Sequence, residues 1–139
     1  MRTLCSMFLL ATLLFSGGCT LALHSLFTAK DLVFDEDLVG KWTAQDTTWV
    51  IKPFDKSTGR YTLATTMRNQ PPGQFYASLG VVNGTRFLEL LPQRPDTIHP
   101  KTFYGGHFIP LRSFWKVSLG KNHLVLTPLS SKWLESMIK

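Results

Sequence analysis

Alternation of apolar and polar residues dominates the chain from residue 38 onward and predicts β-strands. Residues 60–67 place Tyr61, Leu63 and Met67 on one face and mostly polar side chains on the other. A period of two is typical of a strand with one buried face. The same alternation returns in two later stretches, residues 75–82 and 111–119.

Short turn sequences join these stretches. Asn83-Gly84 lies between two of them, and both residues accept the positive φ that a type I′ hairpin turn requires. Residues 55–59 and 120–122 carry turn-forming side chains between other β-type stretches. The pattern predicts an all-β protein, an antiparallel meander of seven or eight strands that forms a small closed or half-open barrel.

The period changes near the C-terminus. Ser130 or Ser131 can cap a helix, and the apolar residues that follow recur at helical spacing: Trp133, Leu134, Met137 and Ile138. A short C-terminal helix is therefore expected after the sheet.

The first 18 residues have the pattern of an export signal. Arg2 precedes an apolar stretch over residues 4–15. That stretch is shorter than the roughly 20 residues of a membrane-spanning helix and fits the apolar region of a signal peptide. A plain signal peptide, cut near Thr20-Leu21-Ala22, is one interpretation.

The other interpretation rests on Cys19, which ends the run Phe15-Ser16-Gly17-Gly18-Cys19. This run resembles the lipobox of bacterial lipoproteins. The resemblance implies that the chain is cleaved before Cys19 and that the thiol of Cys19 is acylated. The acyl anchor would then attach the protein to a membrane. Because Thr20 follows the cysteine, where Asp commonly signals inner-membrane retention, the resemblance also implies the periplasmic face of the outer membrane.

Three regions follow from this second interpretation. Residues 1–18 are a lipoprotein signal peptide, residues 19–37 a lipidated tether that docks on the domain, and residues 38–139 a β-barrel domain with its C-terminal helix. Both cysteines of the chain lie at or before residue 19, so the mature domain has no disulfide. The tether is acidic and the domain is basic. The basic domain favours binding to anionic lipid or to an acidic partner.

Gly40-Lys41-Trp42 stands at the start of the predicted first strand of the domain. This Gly-x-Trp resembles the lipocalin or calycin signature, in which the Trp plugs the closed end of the barrel. The resemblance implies that Gly40 and Trp42 are a structural barrel motif. With Leu23-His24 and Leu32-Val33-Phe34-Asp35, the chain also resembles a family of small uncharacterised bacterial envelope lipoproteins, which implies a location and no activity.

Tyr104, His107 and Arg112 form the best candidate polar cluster for binding a ligand or partner. They flank Pro110, and proline interrupts a strand and favours a bulge, which often re-aims side chains near a site. The alternative is a strand bend with a surface His. Neither His107 nor Arg112 has the pattern of a core residue, so changing both to Ala is expected to leave folding intact.

Signatures of catalysis are missing from the chain. The four histidines have no metal-ligand spacing and no cysteine remains to join them, so no metal site and no cofactor are expected. Neither a nucleophile elbow nor a Gly-rich nucleotide loop is found. The envelope location also argues against nucleic acid, so we expect a protein that is not an enzyme.

The sequence thus predicts a non-catalytic, membrane-anchored lipoprotein of the bacterial cell envelope. Its small barrel would bind an apolar or anionic small ligand, such as a lipid, or a protein partner. The alternative is a structural or assembly accessory that docks on another envelope protein. A cavity of about 300 Å³ or more favours ligand binding, whereas a filled barrel with an exposed apolar patch favours docking.

Overall fold

The structure is a computed structural model, and it describes residues 21–98, 101, 108–130 and 132. Eight strands within these ranges form one antiparallel sheet. Their bounds are β1 Leu21–Ala22, β2 Gly40–Ala44, β3 Thr47–Asp55, β4 Arg60–Met67, β5 Gly73–Val82, β6 Thr85–Pro92, β7 Arg112–Leu119 and β8 Leu124–Pro128.

Strands β2 to β7 are neighbours in chain order, which confirms the predicted antiparallel meander. The far edge of β7 is shared by two short strands. β1 pairs with the start of β7, at Arg112 and Ser113, while β8 pairs with the rest of it from Trp115 to Leu119. The first and last described strands therefore lie end to end along one edge.

Turn residues adopt the conformations that their sequence favours. Asn83 and Gly84 have φ of 48° and 75°, so both occupy the left-handed region that the tight β5–β6 hairpin needs. Gly59 has a φ of 63°, and a Cβ there would lie 2.5 Å from the carbonyl oxygen of Val33. β3 continues through Pro53, where the ladder shifts register in a β-bulge.

The concave inner face of the sheet carries the main core. Tyr61 is completely buried and stacks on Phe34 with ring centroids 5.0 Å apart. Leu38, in a 3-10 turn over Glu36–Leu38, is also completely buried and enters this core from the segment before β2. The other buried members come from β3 to β7: Ile51, Leu63, Ala77, Leu79, Leu88, Leu90 and Val117.

The sheet is strongly curled. Trp49 of β3 and Trp115 of β7 are four strands apart in the sheet, yet their ring centroids lie 6.0 Å apart across the inner face. No ladder joins β2 to β8 within the described residues, so backbone pairing leaves the sheet open there. The predicted C-terminal helix falls on residues of which only Lys132 is described, and the helix itself lies outside the described residues.

A second, smaller core lies on the convex outer face. Phe87, Phe114 and Leu129 are buried there, with Ala22 and Phe27 packed against them. Residues 87–90 of β6 are consequently buried on both faces in an unbroken run. Something must cover the outer face to bury them, and that cover is supplied by the N-terminal segment.

Residues 21–35, here called the N-terminal arm, cross the outer face of the sheet. The arm begins as β1 and ends beside β5, where the Val33 amide donates to the Leu79 carbonyl and the Val81 amide to the Asp31 carbonyl, each at 2.9 Å. Gly80 lies under Phe27, and a Cβ at Gly80 would come within 2.6 Å of that ring. The arm is therefore an integral layer of the fold rather than a loose leader.

Candidate functional site

A cleft of about 520 Å³ opens between the β2–β3 hairpin and the β7–β8 hairpin. We call it the tryptophan cleft, because three of the four tryptophans of the chain line it. It lies where the sheet edges β2 and β8 approach each other without pairing. Its principal lining residues are Trp42, Trp49, Trp115, His123, Leu124 and Leu126.

Backbone and side-chain contacts hold the three indole rings in place. The indole N–H of Trp42 donates to the Leu38 carbonyl at 3.0 Å, and that of Trp115 donates to Ser113 Oγ at 3.2 Å. Trp49 lies directly opposite Trp42 in the β2–β3 ladder and meets Trp115 edge-on, at 84°. The cleft wall is consequently preformed, with large aromatic surfaces fixed in orientation.

Chemically, the tryptophan cleft suits an apolar ligand with a small polar group. Its volume lies within the roughly 300–1,000 Å³ that ligand pockets usually have. Asn122 and His123 supply polar atoms at the β7–β8 turn.

A second, shallower depression of about 310 Å³ runs across the outer face, and we call it the outer groove. Phe54 and Tyr76 form its aromatic part, with ring centroids 5.4 Å apart, and both are largely exposed. Arg60 and Arg112 contribute its basic groups. This groove combines apolar and cationic surface but contains one carboxylate, that of Glu89.

Glu89 is the one charged residue buried among those the structure describes, and its contacts attach the N-terminal arm to the sheet. Its Oε1 accepts a hydrogen bond from Arg112 Nε at 3.0 Å, and its Oε2 accepts one from the Ser25 hydroxyl at 2.6 Å. Arg112 Nη1 donates in turn to the Leu23 carbonyl at 2.6 Å. A buried carboxylate is thus matched by a cation and a hydroxyl, as burial requires.

Of the three residues in the polar cluster predicted from the sequence, the structure describes one. Arg112 lies at the start of β7, on the outer face, while Tyr104 and His107 lie outside the described residues. Because Arg112 pairs with a buried carboxylate, the expectation that its loss leaves folding intact is revised. A side chain with no core pattern in the sequence is here the partner of a core charge.

The remaining predicted site residues are Cys19, Gly40 and Trp42, and the structure describes the last two. Cys19 lies outside the described residues. Gly40 opens β2 with a φ of 148°, a value that L side chains rarely adopt, and Trp42 packs against the main core while also lining the tryptophan cleft. The Gly-x-Trp motif therefore brings a half-buried ring to the cleft wall.

Two ionisable groups in or next to the N-terminal arm have shifted pKa values. Burial raises the pKa of the Tyr61 hydroxyl, which accepts from the Asp35 amide at 2.7 Å and lies 3.2 Å from the Asp35 carbonyl. Hydrogen bonds from the Thr28 hydroxyl and amide lower the pKa of Asp31. The first group joins the end of the N-terminal arm to the main core, and the second shapes a turn within the arm.

Sequence reasoning missed Glu89 and the tryptophan cleft. A signal for the first was present, since Phe87-Leu88-Glu89-Leu90 does not alternate, and such a run indicates a strand covered on both faces. A carboxylate inside that run needs a cationic partner. The cleft gave no comparable signal, because its three tryptophans come from strands far apart in the chain.

Metal-binding clusters and membrane-spanning helices are both absent from residues 21–98, 101, 108–130 and 132. These residues contain no group of three or more potential metal-ligating side chains. Nor do they include a helix with the length and apolarity needed to cross a membrane. Comparison of the whole chain with protein-family models, with curated proteins and with solved structures finds no match in any of the three.

Proposed function

We propose that this chain is a non-catalytic, lipid-anchored protein of the bacterial cell envelope that binds an apolar ligand in the tryptophan cleft. In this proposal the curled sheet acts as a half-open barrel, and its unpaired seam between β2 and β8 is the binding site. The observation that carries the proposal is the cleft itself, with three fixed indole rings around about 520 Å³.

The interior of the curled sheet does not compete with the cleft for a ligand. Tyr61, Leu38 and Ile51 are at most 1% exposed and fill the centre of the inner face. Space for a ligand is instead found at the seam, where Trp49 and Trp115 are only half-buried. Burial of a ligand against those rings would remove apolar surface from water on both partners, which is the main favourable term in such binding.

The anchor is supported by the chain's own residues. The short apolar stretch and the small residues before Cys19 fit a lipoprotein signal, and a mature domain without cysteine fits a core held without disulfides. We expect the full chain carrying Cys19→Ser to leave the membrane fraction or to remain uncleaved. Unchanged membrane fractionation, with no acyl mass on the N-terminal peptide of the parent, would remove this half of the proposal.

The ligand half is tested on chain purified from its native membrane, by mass spectrometry of the small molecules that copurify. Ala44→Trp is the informative variant, because Ala44 is exposed, lines the cleft and can gain bulk without entering the core. Ala64→Trp is its matched control, since Ala64 is exposed on β4 and does not line the cleft.

We expect a specific apolar compound to copurify with the parent and with the control. It should be depleted about tenfold or more from the Ala44→Trp variant, the equivalent of roughly 1.4 kcal/mol of binding free energy. Lipids carried over from the bulk membrane should be the same in all three preparations. Equal recovery of every compound from the three proteins would mean that the cleft holds no ligand.

A further inference from the structure

We infer that the N-terminal arm and the strand beneath it form the face by which the folded domain rests on a lipid bilayer. The partner is the interfacial layer of the membrane, contacted by Leu23, Leu26 and the residues around them. This inference rests on the proposed acylation of Cys19, and it adds an orientation that acylation alone does not supply.

The first observation is where large apolar side chains are left exposed. Leu21, Leu23 and Leu26 of the arm are 55%, 57% and 48% exposed. Ile109 and Leu111, which lead into the strand that pairs with the arm, are 65% and 39% exposed. Neighbouring exposed apolar residues of this kind mark an interaction surface rather than an ordinary water-facing wall.

The second observation is the distance from the anchor. Cys19 precedes Leu21 by two residues, and two residues span at most about 7 Å. Leu21 is not free to move away from the domain, because it pairs with Ser113 in β7 and Arg112 Nη1 holds the Leu23 carbonyl at 2.6 Å. An acyl group on Cys19 therefore brings the rigid sheet itself to the membrane surface, with this patch foremost.

The contact chemistry favours lipid over an acidic protein groove. Interfacial segments bury their apolar side chains about 5–10 Å into the headgroup boundary, and the exposed leucines at this sheet edge supply apolar surface of that kind.

The test places a fluorescent label at single introduced cysteines of the full, processed chain. Cleavage removes Cys5 and acylation blocks Cys19, so an introduced thiol is the single one that reacts. Leu23→Cys and Leu26→Cys report on the patch. Val125→Cys is the matched control, because Val125 is equally exposed at 51% but pairs with Ser118, six residues and about 20 Å along β7 from Arg112.

Each labelled protein is reconstituted into vesicles of phosphatidylethanolamine and phosphatidylglycerol, with and without a lipid that carries a nitroxide quencher near its headgroup. We expect quenching at positions 23 and 26 to exceed that at 125 by about threefold or more, as insertion into the interface requires. The intact mass of the N-terminal peptide is measured on the same samples.

The outcomes separate the two proposals. Acyl mass together with selective quenching at 23 and 26 supports the membrane-apposed face. Acyl mass with equal quenching at all three positions overturns this orientation and leaves the lipid anchor standing. A peptide without an acyl group overturns both. Labels that become shielded on reconstitution but are not quenched indicate a protein contact at the patch, and this also overturns the inference.

Discussion

Replacement of Arg112 by Ala is expected to destabilise the fold by about 2–3 kcal/mol. The side chain of Glu89 is 7% exposed and that of Arg112 is 24% exposed. Removing one partner of a buried ion pair typically costs about 3–5 kcal/mol, since a charge is left without compensation. We take a lower value because water reaches part of Arg112 and the Ser25 hydroxyl still donates to Glu89.

Thermal unfolding followed by circular dichroism measures this effect. For a domain of this size, each kcal/mol lowers Tm by about 3–5 °C, so Arg112→Ala should melt roughly 6–15 °C below the parent. Arg68→Ala is the control, because Arg68 pairs with Asp46 at 3.4 Å but both side chains are more than 60% exposed. An exposed pair contributes about 0–1 kcal/mol, so this variant should melt close to the parent.

A second substitution distinguishes the cost of leaving the Glu89 carboxylate without a cation from the cost of losing the packing of the Arg112 side chain. Adding Glu89→Gln to Arg112→Ala removes the uncompensated carboxylate while keeping a side chain that accepts from Ser25. We expect the double variant to recover at least about half of the lost stability. If Arg112→Ala and Arg68→Ala melt within a degree of each other, Glu89 is solvated in the folded protein. The explanation by an uncompensated buried carboxylate is then wrong.

Two further outcomes follow from the main core. Trp42→Ala should lower the free energy of unfolding by about 2–4 kcal/mol, somewhat less than loss of a fully buried Trp, because the ring is half-buried. A Tm within two degrees of the parent would show that Trp42 does not stabilise the core. Burial raises the pKa of Tyr61, so the folded chain keeps a proton that the unfolded chain releases. Stability should therefore fall as the pH rises past about 10, and Tyr61→Phe should flatten that alkaline slope in pH-dependent unfolding.

Local patterns were sufficient to predict most of the sheet. Alternation placed Tyr61 and Leu63 on the buried face, and Asn83-Gly84 fixed the β5–β6 hairpin, because a strand's side-chain period and a turn's φ are properties of a few consecutive residues. The meander followed, since neighbouring hairpins leave few other arrangements for the strands.

The site depended on contacts between distant parts of the chain, which local patterns do not encode. Trp49 and Trp115 meet because the sheet curls, and the degree of curl is set by twist and register along all the strands together. Arg112 looked like a surface cation because its partner, Glu89, lies in another strand. The sequence predicted Arg112 as a binding residue because it follows Pro110, and in the structure its hydrogen bonds go to Glu89 and to the Leu23 carbonyl of the arm.

Pairing of β1 with β7 also has a consequence for the order of events in folding. Leu21 finds its ladder partner, Ser113, only about 90 residues later in the chain, and closing so long a loop is slow compared with forming the hairpins between. The segment that begins at Leu21 would thus stay undocked until nearly all of the hairpins have formed. Under the proposed acylation, enzymes that act on Cys19 would meet an accessible segment in that interval, and completion of the fold would end the access.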